Sequence, residues 1–245
     1  MQHAKKVALI TGANKGIGFE TARQLGEQGV IVLAGARDRT RGDEAARALQ
    51  AEGIEASAVH LDVTDQATIE AAASYIDETY GRLDIVVNNA GISLPEGRVV
   101  PSVLNIEVFR KMYDTNVFGV FAVTKAMLPL LRRSEAGRIV NMASSMGSLS
   151  LNSNPDSVYA QMPPLLGYNS SKTAVNAITV FFANELRNTS IKVNSADPGY
   201  CATDLNNHSG WRTPQQGAQV VVRLATLPAD GPTGGFFDEN GAVPW

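Results

Sequence analysis

The chain has 245 residues, 44% hydrophobic and 18% charged, with a net charge of −3. These values suit one soluble domain that buries a core without disulfide or metal staples, and they exclude a basic nucleic-acid surface. No apolar run approaches the ~18 residues a membrane span needs, and the single cysteine, Cys201, has no internal partner, so a cytoplasmic protein is expected.

The N-terminus leads almost directly into Lys6 to Thr11, a strand candidate, and shows no secretory pattern. Gly16 to Gly29 reads as a helix closed by glycine, Val30 to Gly35 as a second strand and Thr40 to Gly53 as a second helix. Glu55 to Leu61 is strand-like, and Thr64 and Asp65 can cap a helix running to about Gly81. Leu83 to Val87 is the fourth strand, followed by one long helical pattern from about Asn105 to Arg133. Arg138 to Ala143 is the fifth strand, and a loop rich in Ser, Asn and Pro runs from Met146 to Pro164. Leu165 to Asn188 is helical, Ile191 to Ala196 is the sixth strand, and Thr213-Pro214 opens a helix to about Leu227. Thr233 to Phe237 is a last short strand candidate. Near-continuous apolar strands alternating with helices predict an α/β fold: a Rossmann-type doubly wound parallel sheet, in one domain over residues 1–245.

The first strand and helix are joined by Thr11-Gly12-Ala13-Asn14-Lys15-Gly16-Ile17-Gly18. Glycines in that first turn allow backbone to approach a pyrophosphate at a helix N-terminus. The second strand ends in Gly35-Ala36-Arg37-Asp38. Ala36 stands where an NAD enzyme usually carries a ribose-binding acid, and Lys15 and Arg37 could meet the 2′-phosphate of NADP instead. Both could equally be solvated surface charges, and Asp38, turned inward, would favour NAD. NADPH/NADP+ is the expected cofactor. Asp62-Val63 follows the third strand; the carboxylate can accept from an adenine amino group or hold the start of the next helix.

Tyr168 and Lys172 lie four apart on a predicted helix and so share a face. An ammonium there would lower the tyrosine pKa from about 10 toward working pH, leaving Tyr168 to act as general acid in reduction or general base in oxidation. Such a pair alone is common on amphipathic helices. Ser144 and Ser145 end the fifth strand; Ser145 is read as the hydroxyl that holds the substrate oxygen. Pro198-Gly199, after the sixth strand, can bring a turn up to a nicotinamide amide.

Taken in order, Thr11-Gly12-x-x-x-Gly16-x-Gly18, Asn88-Asn89-Ala90-Gly91, Asn116, Ser145, Tyr168-x-x-x-Lys172 and Pro198-Gly199 resemble the short-chain dehydrogenases/reductases over essentially the whole chain. Asn14-Lys15, Ala36-Arg37-Asp38 and the Pro244-Trp245 tail resemble the carbonyl reductase branch. The resemblance implies an NADPH-dependent reductase of small carbonyl compounds. It also implies that Asn116 holds a water on a proton relay and that Lys172 binds the nicotinamide ribose. Asn89-Ala90-Gly91 would support the sheet beside the adenosine half, and Thr203 would bond the carboxamide or pyrophosphate. Asn116 read alone could be a satisfied buried amide, and Thr203-Asp204 an ordinary cap. An NAD-linked alcohol or sugar dehydrogenase and a non-catalytic NADP(H)-sensing protein are the alternatives.

Met146, Leu149, Tyr159, Met162, Tyr200, Leu205 and Trp211 are candidate walls for an apolar substrate. The 22 residues between Ser145 and Tyr168 exceed what many family members carry. In the carbonyl reductase branch such an insertion covers the helix that follows and keeps the protein monomeric, so a monomer is expected. No metal site is read, and Cys201 reads as an inert small hydrophobe.

Overall fold

The computed structural model describes residues 5–163 and 165–245. Seven parallel strands form one sheet in the order β3-β2-β1-β4-β5-β6-β7, with β1 Val7–Thr11, β2 Ile31–Ala36, β3 Ala56–His60, β4 Ile85–Asn88, β5 Arg138–Met142, β6 Lys192–Ala196 and β7 Phe236–Phe237. Every residue of β1, β4 and β5 is buried, because helices cover both faces. Helices α1 Gly16–Glu27, α2 Arg39–Ala51 and α3 Gln66–Tyr80 follow β1, β2 and β3 in turn. Helix α3 is capped by Asp65, whose side chain accepts from Ala67 N, and ends at Gly81 in the left-handed conformation with φ 68°.

The long helical pattern after β4 is continuous from Ile106 to Leu131 and carries a π-turn in its middle. Asn105 caps α4 Ile106–Tyr113, a π-turn spans Asp114–Phe118, and α5 Gly119–Leu131 follows. The Met146 to Pro164 segment, expected as loop, contains a short helix α6 Leu149–Ser153; Pro164 lies outside the described residues. Helices α7 Leu166–Glu185 and α8 Pro214–Ala225 complete the layers. The C-terminal tail closes over the α6 end of the sheet: Trp245 stacks on Phe236 at 5.8 Å, and its carbonyl accepts from Ser150 N at 2.8 Å.

The strand order reverses between β1 and β4. Ligand-binding crevices in such sheets open at the carboxyl ends of the strands flanking that reversal. The glycine loop leaves β1 there, and Asn89-Ala90-Gly91 leaves β4 there. Behind them a buried polar chain braces the sheet. Asn88 donates to Thr124 and Asn141, Asn141 donates to Thr179, and Thr179 meets Ser195 at 2.8 Å. In an apolar core each of these groups needs its partner, so the chain specifies the register of β4, β5 and β6 against α5 and α7.

Candidate active site

Gly12 and Gly16 have φ of 65° and 59°, a region that an L side chain enters only with strain. Gly18 is required for space: a Cβ would lie 2.4 Å from Asn89 Nδ2 and 2.6 Å from the Gly12 carbonyl. Asn89 donates through Nδ2 to the carbonyls of Thr11 and Gly12 at 2.8 and 3.2 Å. The Thr11 hydroxyl accepts from the backbone N–H groups of Asn89 and Ala90 at 3.0 and 2.9 Å. The β4 end therefore holds the loop open as a cradle. Lys15 occupies the N-cap of α1 with no side-chain cap, which leaves the first-turn N–H groups for an anion. Ile17 packs at the edge of the core behind the loop. These features fit a dinucleotide's pyrophosphate.

At the end of β2, Asp38 is not turned inward. It caps α2, accepting from Arg41 N at 3.0 Å, while Arg37 is exposed. Lys15 is paired with Asp204, which His208 also reaches at 2.8 Å, so its charge already has a partner. That pair is exposed and contributes little to stability. Asp62 accepts from Thr64 N and Thr64 Oγ1 at 2.9 and 2.7 Å, which organises the turn before α3, and Val63 packs against Gly119.

On the opposite side of the cleft, α7 carries Tyr168 half-buried and Lys172 buried. Gly147 lets the loop after β5 lie directly on α7: a Cβ there would sit 2.7 Å from backbone and side-chain atoms of Lys172. Thr173 locks the contact by donating to the Gly147 carbonyl at 2.7 Å. This packing decides which serine faces the tyrosine. Ser144 is half-buried on the Tyr168 side, where its hydroxyl favours the phenolate, and it accepts from Met146 N at 3.2 Å. Ser145 is buried, with its hydroxyl donating to Asp197 and its N–H donating to the same oxygen at 3.0 Å. The structure thus commits the Ser145 hydroxyl, expected at the substrate, to Asp197, because the turn points the two adjacent side chains to opposite sides.

The electrostatics also differ from expectation. Lys172 donates to the Met142 carbonyl at 2.7 Å, with Nζ 5.7 Å from the Tyr168 ring centre. Burial pushes the phenol up to about 12, the Asp197 charge adds to the rise, and the nearby Ser144 hydroxyl opposes it. Burial pulls Lys172 down to about 8 while Asp197 favours its charged form. Desolvation thus outweighs the expected help of the ammonium, and the resting phenol is neutral at pH 7.

Asn116 sits fully buried in the π-turn. Its Oδ1 accepts from Ile92 N at 2.8 Å, and its Nδ2 donates to the Ile92 carbonyl at 2.9 Å and to Ser171 Oγ at 3.0 Å. Ser171 in turn donates to the Tyr168 carbonyl at 2.7 Å. Both amide hydrogens are taken by protein groups, which ties the segment after β4 to α7. Gly91 lies at the centre: a Cβ there would be 3.4 Å from Asn116 Oδ1 and 3.5 Å from Lys172 Nζ. Past β6, Pro198 leads into Gly199 at φ 73°, and Thr203 Cγ2 comes within 3.5 Å of where a Gly16 Cβ would be. Asp197 escaped the sequence reading, which weighed Ser144 against Ser145 and chose Ser145. A carboxylate closing an apolar strand was the available signal for Asp197, and the Ser144-x-x-Gly147 spacing was the signal for Ser144.

Of the expected substrate walls, Tyr200 and Trp211 form an edge-to-face pair with centres 5.0 Å apart, and Leu149, Met162 and Leu205 are exposed. Met146 and Tyr159 are half-buried. Phe181 of α7 is 72% exposed, and Phe121 of α5, also exposed, packs on Phe182 with ring centres 6.1 Å apart. Cys201 is buried, with its thiol donating to the Pro198 carbonyl at 3.3 Å. No helix among the described residues is long and apolar enough to cross a membrane.

A family model described as short chain dehydrogenase matches residues 6–212. The chain is 34% identical to (+)-neomenthol dehydrogenase of Capsicum annuum, across 95% of each chain. It is 33% identical to NADPH carbonyl reductase 1 of Rattus norvegicus, across the full length of both. The structure of salutaridine reductase from Papaver somniferum superposes with a TM-score of 0.83 and 32% identity, covering 96% of this chain and all of that one. The chain belongs to the short-chain dehydrogenase/reductase family. Within it, the chain falls in the carbonyl reductase-like branch, as an oxidoreductase acting at CH–OH/C=O groups with a nicotinamide cofactor.

Proposed function

We propose that this protein is an NADPH-dependent carbonyl reductase in which Tyr168 is the general acid, paired with Ser144 rather than Ser145. The observation that carries the reading is the close seating of the Ser144–Gly147 turn on α7, with Lys172 Nζ 5.7 Å from the Tyr168 ring centre and 3.5 Å from where a Gly91 Cβ would be. When bound, the nicotinamide supplies a hydride. Ser144 and Tyr168 would receive the carbonyl oxygen between them, and Tyr168 would give its proton to that oxygen as the alkoxide forms. Lys172 would replace the lost proton and bind the nicotinamide ribose, and Asn116 would keep α7 in register. The cradle of Gly12, Asn14, Lys15, Gly16, Ile17 and Gly18 would hold the pyrophosphate. Asp62, Val63, Asn89, Ala90 and Gly91 would line the adenosine side, and Pro198, Gly199 and Thr203 the nicotinamide side.

NADP preference is supported by Asp38 being spent on the α2 cap while Arg37 is exposed at the end of β2. A charge-assisted bond to a 2′-phosphate is worth about 1.5–3 kcal/mol, so NADPH should exceed NADH in kcat/KM by at least about tenfold. Arg37→Ala should erase most of that ratio. The assay is cofactor oxidation across a panel of ketones, aldehydes and quinones; equal efficiency with NADH would sink the preference. The monomer proposed from the insertion is read by light scattering, where a concentration-independent dimer would replace it.

A further inference from the structure

Asp197 lies at the end of β6, outside the tyrosine–lysine pair, and is 7% exposed. Its Oδ2 accepts both the N–H and the hydroxyl of Ser145, and its Oδ1 accepts from Gly199 N at 2.9 Å. Three donors converge on it, the arrangement an ionised carboxylate takes. Two strand ends that must hold separate parts of the site, Ser144-Ser145 after β5 and Pro198-Gly199 after β6, are thereby tied through one side chain. Its charge also acts on Tyr168 and Lys172 of α7 and on the buried Cys201 thiol. Arg212 packs against the Gly199 turn but is ion-paired with Glu239.

We propose that Asp197 is a positioning residue of the proton-transfer centre: through its three hydrogen bonds it orients the Ser144-Ser145 turn and the Gly199 turn, and it sets a carboxylate next to Ala196, whose strand partner Met142 holds Lys172. The proposal rests on Tyr168 being the proton donor. The sign of the carboxylate's effect follows from charge alone. A nearby anion disfavours a phenolate and favours an ammonium, so both groups hold their protons to higher pH while Asp197 is ionised. Removing that charge lets both groups lose their protons at lower pH.

The test is the pH profile of kcat/KM for ketone reduction in the wild type, Asp197→Asn and Ser145→Ala. Asp197→Asn should move the alkaline limb to lower pH by about one unit. Ser145→Ala keeps the charge but loses the hydroxyl bond, so it should lower kcat and leave the limb in place. An unmoved limb in Asp197→Asn, or an equal shift in Ser145→Ala, overturns the proposal. Should Asp197→Asn not fold, Asp197→Glu retains the charge at altered geometry. It is expected to lose kcat with an unshifted limb, and a shifted limb counts against the charge role. Ultraviolet titration of tyrosinate, with Tyr168→Phe to assign the signal, reads the same shift without turnover. It therefore separates failure of this proposal from failure of the tyrosine's role.

Discussion

Around the glycine loop, main-chain groups and small residues do the work: Thr11, Asn89 and Gly18 interlock, and an added methyl group at Gly18 would collide. Across the cleft, by contrast, Trp211 is 77% exposed and Tyr200 is held by little more than its edge contact and a Ser209 hydroxyl. A pyrophosphate is the same in every reaction such a fold runs, so its cradle can be rigid backbone. The substrate side is built from side chains on loops, which can change shape without disturbing the sheet.

That contrast can be broken most severely at the centre both halves share. Tyr168→Phe should cost about 10²–10⁴-fold in kcat while reduced-cofactor binding, followed by nucleotide fluorescence, is retained. Near-normal turnover would remove the proton-donor role altogether. Next, Ser144→Ala should lose about 10²–10³-fold, against about tenfold for Ser145→Ala, whose effect is exerted through position. The reverse order in steady-state kinetics would restore Ser145 as the substrate contact. On the rigid side, Gly18→Ala should cost about 1–3 kcal/mol by overpacking and weaken cofactor binding. A thermal melt and a fluorescence titration measure the two losses. The smallest effect belongs to the open side: Trp211→Ala should raise KM for bulky apolar ketones by about threefold to tenfold. Stability should stay within about 0.5 kcal/mol of the wild type, as for other surface changes. A large fall in melting temperature would show that Trp211 is structural.

The lysine's expected help to the tyrosine is a case where local reasoning picked the wrong dominant force. Spacing placed Lys172 beside Tyr168, and it is there. Spacing carries no information on how much water the packed cleft excludes, and desolvation is the larger influence on both groups.

What the sequence determined by itself is the alternation of buried strands and helices, and with it the parallel sheet and the glycine loop at its first turn. Periodicity and glycine placement are local properties that survive reading one residue at a time. Only the tertiary structure decided that the Asn105 to Arg133 helix widens into a π-turn at Asp114–Phe118 and that Asp38 caps a helix. It alone turned Ser144 toward Tyr168 and Ser145 toward Asp197. Adjacent residues in a turn differ by which neighbour they meet, and here that was set by the close seating of Gly147 on α7.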